Sequence, residues 1–251
     1  MNKNLNIKLF CGCILALVLF SYIWDSFGTM EMSKPWQLQP FEHEDSLSSQ
    51  YKEMYRIYDK MRMISQEKNL SQKKVVVLVD AWGVPNDEKL LEQDFSFFSS
   101  LKHKKGIHQR LKNQTKHAER VELHNEFEKG IFLFGGDSSE YDRRSYIPGL
   151  GYDSLIFCQK CNDSLMIALL NTIIQHQNFD CHGLTTQDSR TGNRALLHNT
   201  LTRIADVAEQ HQDVFFIVLG THRPTLGTSN ARNSHKSHWV PVVLLNESEE
   251  K

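Results

Sequence analysis

Two apolar runs, Lys74-Val75-Val76-Val77-Leu78-Val79-Asp80 and Val214-Phe215-Phe216-Ile217-Val218-Leu219-Gly220-Thr221-His222, constrain this chain more than any other feature. Each is too continuous for a half-solvated strand, which would alternate apolar and polar residues. Each reads instead as a strand buried on both faces, as in a parallel sheet covered by helices. Polar residues at the carboxyl ends of such strands lie where open α/β sheets keep their sites. Asp80 and His222 hold those positions, more than 140 residues apart in sequence.

The rest of the pattern alternates. A helix is expected over Glu88 to Leu101, a basic loop after it, a helix over Thr115 to Glu128, and a strand over Ile131 to Phe134. Beyond a Gly/Asp/Ser loop come a strand at Leu155 to Phe157, a helix at Asp163 to His176, and an extended piece at Gly183 to Thr186. A helix over Asn193 to Gln212 precedes the strand at 214–219, and a strand at Trp239 to Leu245 closes the series. Strands alternating with helices predict a mainly parallel α/β sheet. With 251 residues, 40% of them hydrophobic, the chain can bury one substantial core. A net charge of −1 argues against a general nucleic-acid binder.

The amino terminus differs in kind. Lys3 and Lys8 precede an apolar run from Leu9 to Trp24, ended by Asp25. At about 1.5 Å per residue this gives roughly 24 Å, a thin span for a hydrocarbon core of about 30 Å. Without a small-x-small cleavage site, and with Tyr22 and Trp24 suited to an aromatic belt, residues 1–25 read as a membrane anchor. The lysines orient the remainder to the extracytoplasmic side. Residues 26–72 read as an amphipathic stalk, in which Leu47, Tyr51, Met54, Tyr55 and Tyr58 fall mostly at helical spacing. Residues 73–251 form the folded domain.

Several groups have site chemistry. Lys102 to Arg120 holds seven Lys or Arg residues and a single acid, Glu119; it reads as a solvated basic surface or as a steering patch for an anion. Thr115 follows Asn113-Gln114 at a helix start, where a hydroxyl either caps the helix or acts as a nucleophile in a positive field. Arg143 and Arg144 end a polar loop and suit bidentate phosphate recognition, or pairing of Arg143 with a nearby carboxylate. Cys158 and Cys161 form a C-x-x-C pair, read first as a disulfide, then as half a zinc site, then as a redox motif.

In their order these features resemble the alkaline phosphatase/sulfatase superfamily, and within it the membrane-anchored branch of lipoteichoic acid synthases and phosphoethanolamine transferases. Asp80 matches the acidic metal ligand at the end of a first strand, and Thr115 the hydroxyl nucleophile and metal ligand. Gly135, Tyr141, Asp142, Arg143 and Gly151-Tyr152-Asp153 stand in register with the segment carrying a substrate-phosphate arginine. Gly220-Thr221-His222-Arg223-Pro224 parallels the family's G-D-H-x-P, and Trp239-Val240-Pro241 its closing strand.

The resemblance implies a metal-assisted hydrolase or transferase acting on a phosphate or sulfate ester, with a divalent Mn or Zn ion. Asp80, Thr115, Thr221 and His222 would be the metal ligands. Thr115 would be the nucleophile and His238 the proton donor to the leaving group. Arg143, Tyr141, Asp188 and His235 would contact an anionic phosphate ester or lipid headgroup. Thr221 departs from the pattern, since the family has Asp there; Asp188 stands where a replacement ligand could come from. The competing reading is a noncatalytic member that keeps the anion cleft for binding. A thiol-disulfide protein built on Cys158 and Cys161 is the third.

Overall fold

A computed structural model describes residues 47–55, 72–110, 112–123, 129–135, 143–176, 180–187, 192–224 and 233–248. The strands are β1 (Lys74–Val79), β2 (His103–Gln109), β3 (Gly130–Gly135), β4 (Ser154–Cys158), β5 (Cys181–Thr185), β6 (Phe215–Gly220) and β7 (Trp239–Leu245). The longer helices are α1 (Glu88–Ser96), α2 (Thr115–Glu122), α3 (Asp163–His176) and α4 (Arg194–Gln210). A helical turn at Arg143–Tyr146 runs into a 3₁₀ turn at Ile147–Leu150.

All seven strands join one sheet in the order β2-β7-β6-β1-β5-β3-β4. The pairs β6-β1, β1-β5, β5-β3 and β3-β4 are parallel, while β7 runs antiparallel to both β6 and β2. The sheet is thus mixed, with a parallel centre and an antiparallel edge. Strands β1 and β6 are neighbours, with Val79 opposite Gly220. That pairing brings the two strand ends singled out in the sequence to one edge.

Helices cover both faces, which is why β1 is apolar without interruption. Val75, Val77 and Val79 share a core with Leu91 and Phe95 of α1, Leu170 of α3 and Leu201 of α4. Val76 and Leu78 point the other way, into a second core with Ala118 of α2, Ile147 and Leu150. At about 25 cal/mol per Å² of apolar surface removed from water, these two layers are the main stabilising term. Asp87 caps α1 by accepting from Lys89 N at 3.0 Å, and Asn193 caps α4 by accepting from Ala195 N at 3.0 Å.

Residues 49–55 are helical and lie on this domain. Tyr51 is buried and donates its hydroxyl to the Pro85 carbonyl at 2.8 Å, and Tyr55 meets the Trp239 ring edge-on at 5.1 Å. The expected anchor at 1–25 lies outside the described residues. No helix among those described is long and apolar enough to cross a membrane.

The expected basic loop is in part a strand. Residues 103–109 pair with β7 from His103 opposite Leu245 to Gln109 opposite Trp239. The apolar partner strand supplies the register, and the lysine-rich sequence suits a sheet edge, where charge discourages pairing with a further chain. Lys104 meets Glu247 at 2.5 Å, and Lys105 pairs with Glu92.

Candidate active site

At the end of β1 the chain turns sharply. Ala81 adopts a left-handed φ of 56°, unusual for a residue with a Cβ. Its N–H donates to Thr221 Oγ1 at 3.1 Å, and Asp80 N donates to Thr186 Oγ1 at 3.2 Å. The turn after β1 is thereby bound to the turns after β6 and β5. Two glycines permit the approach: a Cβ on Gly220 would stand 1.8 Å from the Trp82 carbonyl oxygen, and one on Gly83 would stand 2.5 Å from Arg223 Cα.

The result is a buried cluster of four predicted residues. Thr115 Oγ1 lies 2.8 Å from Asp80 Oδ1 and 3.0 Å from His222 Nε2. Thr221 Oγ1 donates to the same Asp80 oxygen at 2.8 Å, and His222 Nε2 stands 3.2 Å from it. All four are almost fully excluded from solvent. Thr115 is the first residue of α2, and its hydroxyl turns to Asp80 and His222; Gln114 occupies the cap position and makes no side-chain cap bond. The Thr115 hydroxyl is thus directed at the Asp80–His222 pair.

The proton arrangement follows from the partners. His222 Nδ1 is 2.6 Å from the Arg223 carbonyl, which can only accept, so Nδ1 carries a proton. In the neutral ring Nε2 then has a lone pair, facing an Asp80 oxygen that already accepts from two hydroxyls. Imidazole nitrogen, carboxylate oxygen and hydroxyl oxygen converge as an acceptor-rich set, the kind of surroundings that suit a cation.

Arg143 lies in an ion pair rather than open to the cluster. Its guanidinium is buried and donates from Nη2 to Glu119 Oε1 at 2.7 Å, from Nε to Glu119 Oε2 at 3.3 Å, and from Nη1 to the Gly135 carbonyl at 2.9 Å. Burial opposes the charge, and the adjoining Glu119 carboxylate outweighs it, raising the guanidinium's pKa above its ordinary value. Glu119 also accepts from the Tyr146 hydroxyl. The planar fork that a phosphate would use is thus committed to a carboxylate one helical turn beyond Thr115. Of the two readings the sequence left open for Arg143, the carboxylate pairing is the one seen, with Glu119 as the partner.

The two later histidines also differ from one another. His238, with φ 63°, is buried, and its Nδ1 lies 3.0 Å from the Arg110 carbonyl. His235 is half-buried in a bridge opposite Pro85, with Nδ1 3.0 Å from Ser234 Oγ. Tyr141 and Asp188 lie outside the described residues.

Sequence reasoning missed Arg110, Thr186 and Glu119 as site residues. Arg110 is buried, donates from Nη2 to the Gly220 carbonyl at 2.9 Å, and pairs with Glu122, so it braces the strand end preceding Thr221 and His222. Glu119 carried one signal: it is the lone acid in the basic stretch.

No protein-family profile and no curated protein sequence matches this chain. Solved structures match its shape. A protein of the alkaline phosphatase superfamily from Vibrio parahaemolyticus superposes with a TM-score of 0.51 at 9% identity, over 72% of this chain and 61% of that one. The lipoteichoic acid synthase LtaP from Listeria monocytogenes gives 0.48 at 10% identity, over 72% and 66%. The C-terminal periplasmic domain of EcEptC from Escherichia coli gives 0.46 at 5% identity, over 72% and 74%. This chain therefore spans about two thirds of the length of the first two, and its architecture is the alkaline phosphatase-like fold.

Proposed function

We propose that this protein is a metal-assisted phosphoester hydrolase or transferase, held to a membrane by its amino terminus and acting on an anionic extracytoplasmic ester. The observation that carries the reading is the convergence of Thr115 Oγ1 on Asp80 Oδ1 and His222 Nε2, at 2.8 and 3.0 Å.

The donor set fits a divalent ion: Asp80 oxygen, His222 Nε2 and Thr115 oxygen are ligand types used by zinc and manganese. Among the described residues no group of three His, Cys, Asp or Glu side chains converges as a metal site, so the hydroxyls would be needed to complete it. A bound ion would polarise the ester and favour loss of the Thr115 proton. In this proposal Thr115 Oγ1 forms a bond to phosphorus as the ester P–O bond breaks, and its proton passes to Asp80. His238, in its imidazolium form with Nδ1–H held by the Arg110 carbonyl, would give the departing alkoxide its Nε2 proton and become the neutral Nδ1–H tautomer. Water or an acceptor hydroxyl then releases the group from Thr115. Lys112, Lys116 and Arg120, in or beside α2, would supply charge that draws an anionic substrate.

Thr221 supports a second reading. Its hydroxyl donates to Asp80 and accepts from Ala81 N, so it braces the carboxylate where the resembling family has another anionic ligand. A site with one fewer negative charge holds a metal less tightly, and a binding protein that retains the cleft would have this composition. Metal titration of the full chain in detergent, followed by turnover of a phosphate monoester and diester panel, decides between the two. The enzyme reading expects stoichiometric Mn²⁺ or Zn²⁺ binding lost in Asp80→Ala and His222→Ala, with turnover dependent on Thr115. Folded protein that takes up neither ion sinks it.

A further inference from the structure

The C-x-x-C pair lies at the same end of the sheet as the Asp80 cluster yet has no part in it. Cys158 ends β4, the last strand in the sheet order, and is bonded to Cys161 across the exposed turn Gln159-Lys160. Both cysteines are only partly buried, whereas Cys181 is almost fully enclosed and burial pushes its thiol up to about 11. The chain thus keeps one thiol out of reach and places a bonded pair at the surface.

As a staple this bond does little. Loop-closure stabilisation grows with the number of residues enclosed, and a bridge across two residues encloses almost the fewest. The turn is also already held by Cys161 N, 3.5 Å from the Cys158 carbonyl, and by its run into α3, where Asn162 accepts from Leu165 N at 2.9 Å.

The pair nevertheless touches the active-site framework. A Cβ on Gly135 would stand 3.6 Å from the carbonyl oxygens of both Cys158 and Cys161. The Gly135 carbonyl itself accepts from Arg143 Nη1, whose guanidinium holds Glu119 on α2. From the exposed position of this short bridge and its contact with the strand end beneath Arg143, we infer that Cys158–Cys161 is a thiol-disulfide exchange site, reduced and reoxidised in the folded protein by a dithiol/disulfide couple.

The exchange is balanced in two steps. A thiolate of the reducing dithiol attacks one sulfur, forming a mixed disulfide and releasing the other cysteine as a thiolate that takes up a proton. The reductant's second thiolate then breaks the mixed disulfide. The reductant leaves as a disulfide, and the pair has gained two electrons and two protons.

The test equilibrates full-length protein in detergent with graded ratios of reduced to oxidised dithiothreitol, then alkylates thiols and maps them by mass spectrometry, with circular dichroism in parallel. A second arm replaces dithiothreitol with a small protein dithiol of the C-x-x-C type. The expected result is joint labelling of Cys158 and Cys161, following a two-electron titration, at least roughly tenfold above labelling of Cys181, with the folded spectrum retained. Reduction by the small dithiol alone would assign the site to low-molecular-weight couples, and reduction in both arms would extend it to proteins. Labelling of the pair only when Cys181 is also labelled and the spectrum is lost would overturn the proposal. A Cys158→Ser/Cys161→Ser double variant that fails to fold would also overturn it, by showing that the bond is a structural staple.

Discussion

Thr221 Oγ1 lies 2.8 Å from Asp80 Oδ1, on the oxygen that Thr115 also reaches. One buried carboxylate oxygen therefore takes two hydroxyl hydrogen bonds, from threonines on different elements. Most of what the site can do depends on whether that oxygen keeps both partners or yields to a cation.

Thr221→Asp should tighten divalent-metal binding about tenfold or more, because it adds an anionic oxygen beside Asp80 and His222. The same change should lower metal-free stability by setting two buried carboxylates together. Calorimetric Mn²⁺ titration and thermal melting measure the two effects. Unchanged affinity would place the ion elsewhere. Thr221→Val removes the bonds to Asp80 and Ala81 and should cost about 1–3 kcal/mol.

Thr115→Ala should leave the fold intact and reduce phosphoester turnover by roughly 10³-fold, since it removes the proposed nucleophile. Thr115→Ser keeps the hydroxyl and should retain part of the rate. A rate insensitive to both changes would remove Thr115 from the chemistry.

Gly220→Ala should be among the most damaging small substitutions in the chain. The added carbon would stand 1.8 Å from the Trp82 carbonyl, backbone against backbone, with no flexible side chain to give way. A loss of about 3 kcal/mol or more is expected in urea denaturation. Gly149→Ala, with nothing within 4 Å of the added carbon, is the matched control.

His182, on β5, should make stability depend on pH. Burial lowers its pKa from 6.5 to about 3, so between these values the unfolded chain binds a proton that the folded chain does not. Stability contributed by this group is therefore complete above pH 6.5 and falls as pH drops toward 3. His182→Gln should flatten that slope in denaturation midpoints taken across this window. Persistence of the full slope would assign it to other groups.

Glu119→Ala would leave the buried Arg143 guanidinium without its carboxylate and should cost about 3–5 kcal/mol, read as a lowered denaturation midpoint. Tyr146 loses a partner in the same variant.

The amino-acid sequence by itself determined the layered architecture and the two strand ends. Uninterrupted apolar runs have no stable place except between two covering layers, so β1 and β6 were legible, and Asp80 and His222 with them. The α3 and β7 boundaries, Asp163–His176 and Trp239–Leu245, were legible for the same local reason: periodicity and punctuation are carried within a few residues. Only the tertiary structure decided what each polar group faces. Residues 103–109 became a strand because β7, more than 120 residues away, offered a complementary edge. Arg143 turned to Glu119, 24 residues earlier, and the Thr221 hydroxyl turned to Asp80, 141 residues earlier. Such partners are chosen by the burial of charge and hydrogen-bonding groups at contacts between distant elements, and no local pattern encodes that choice.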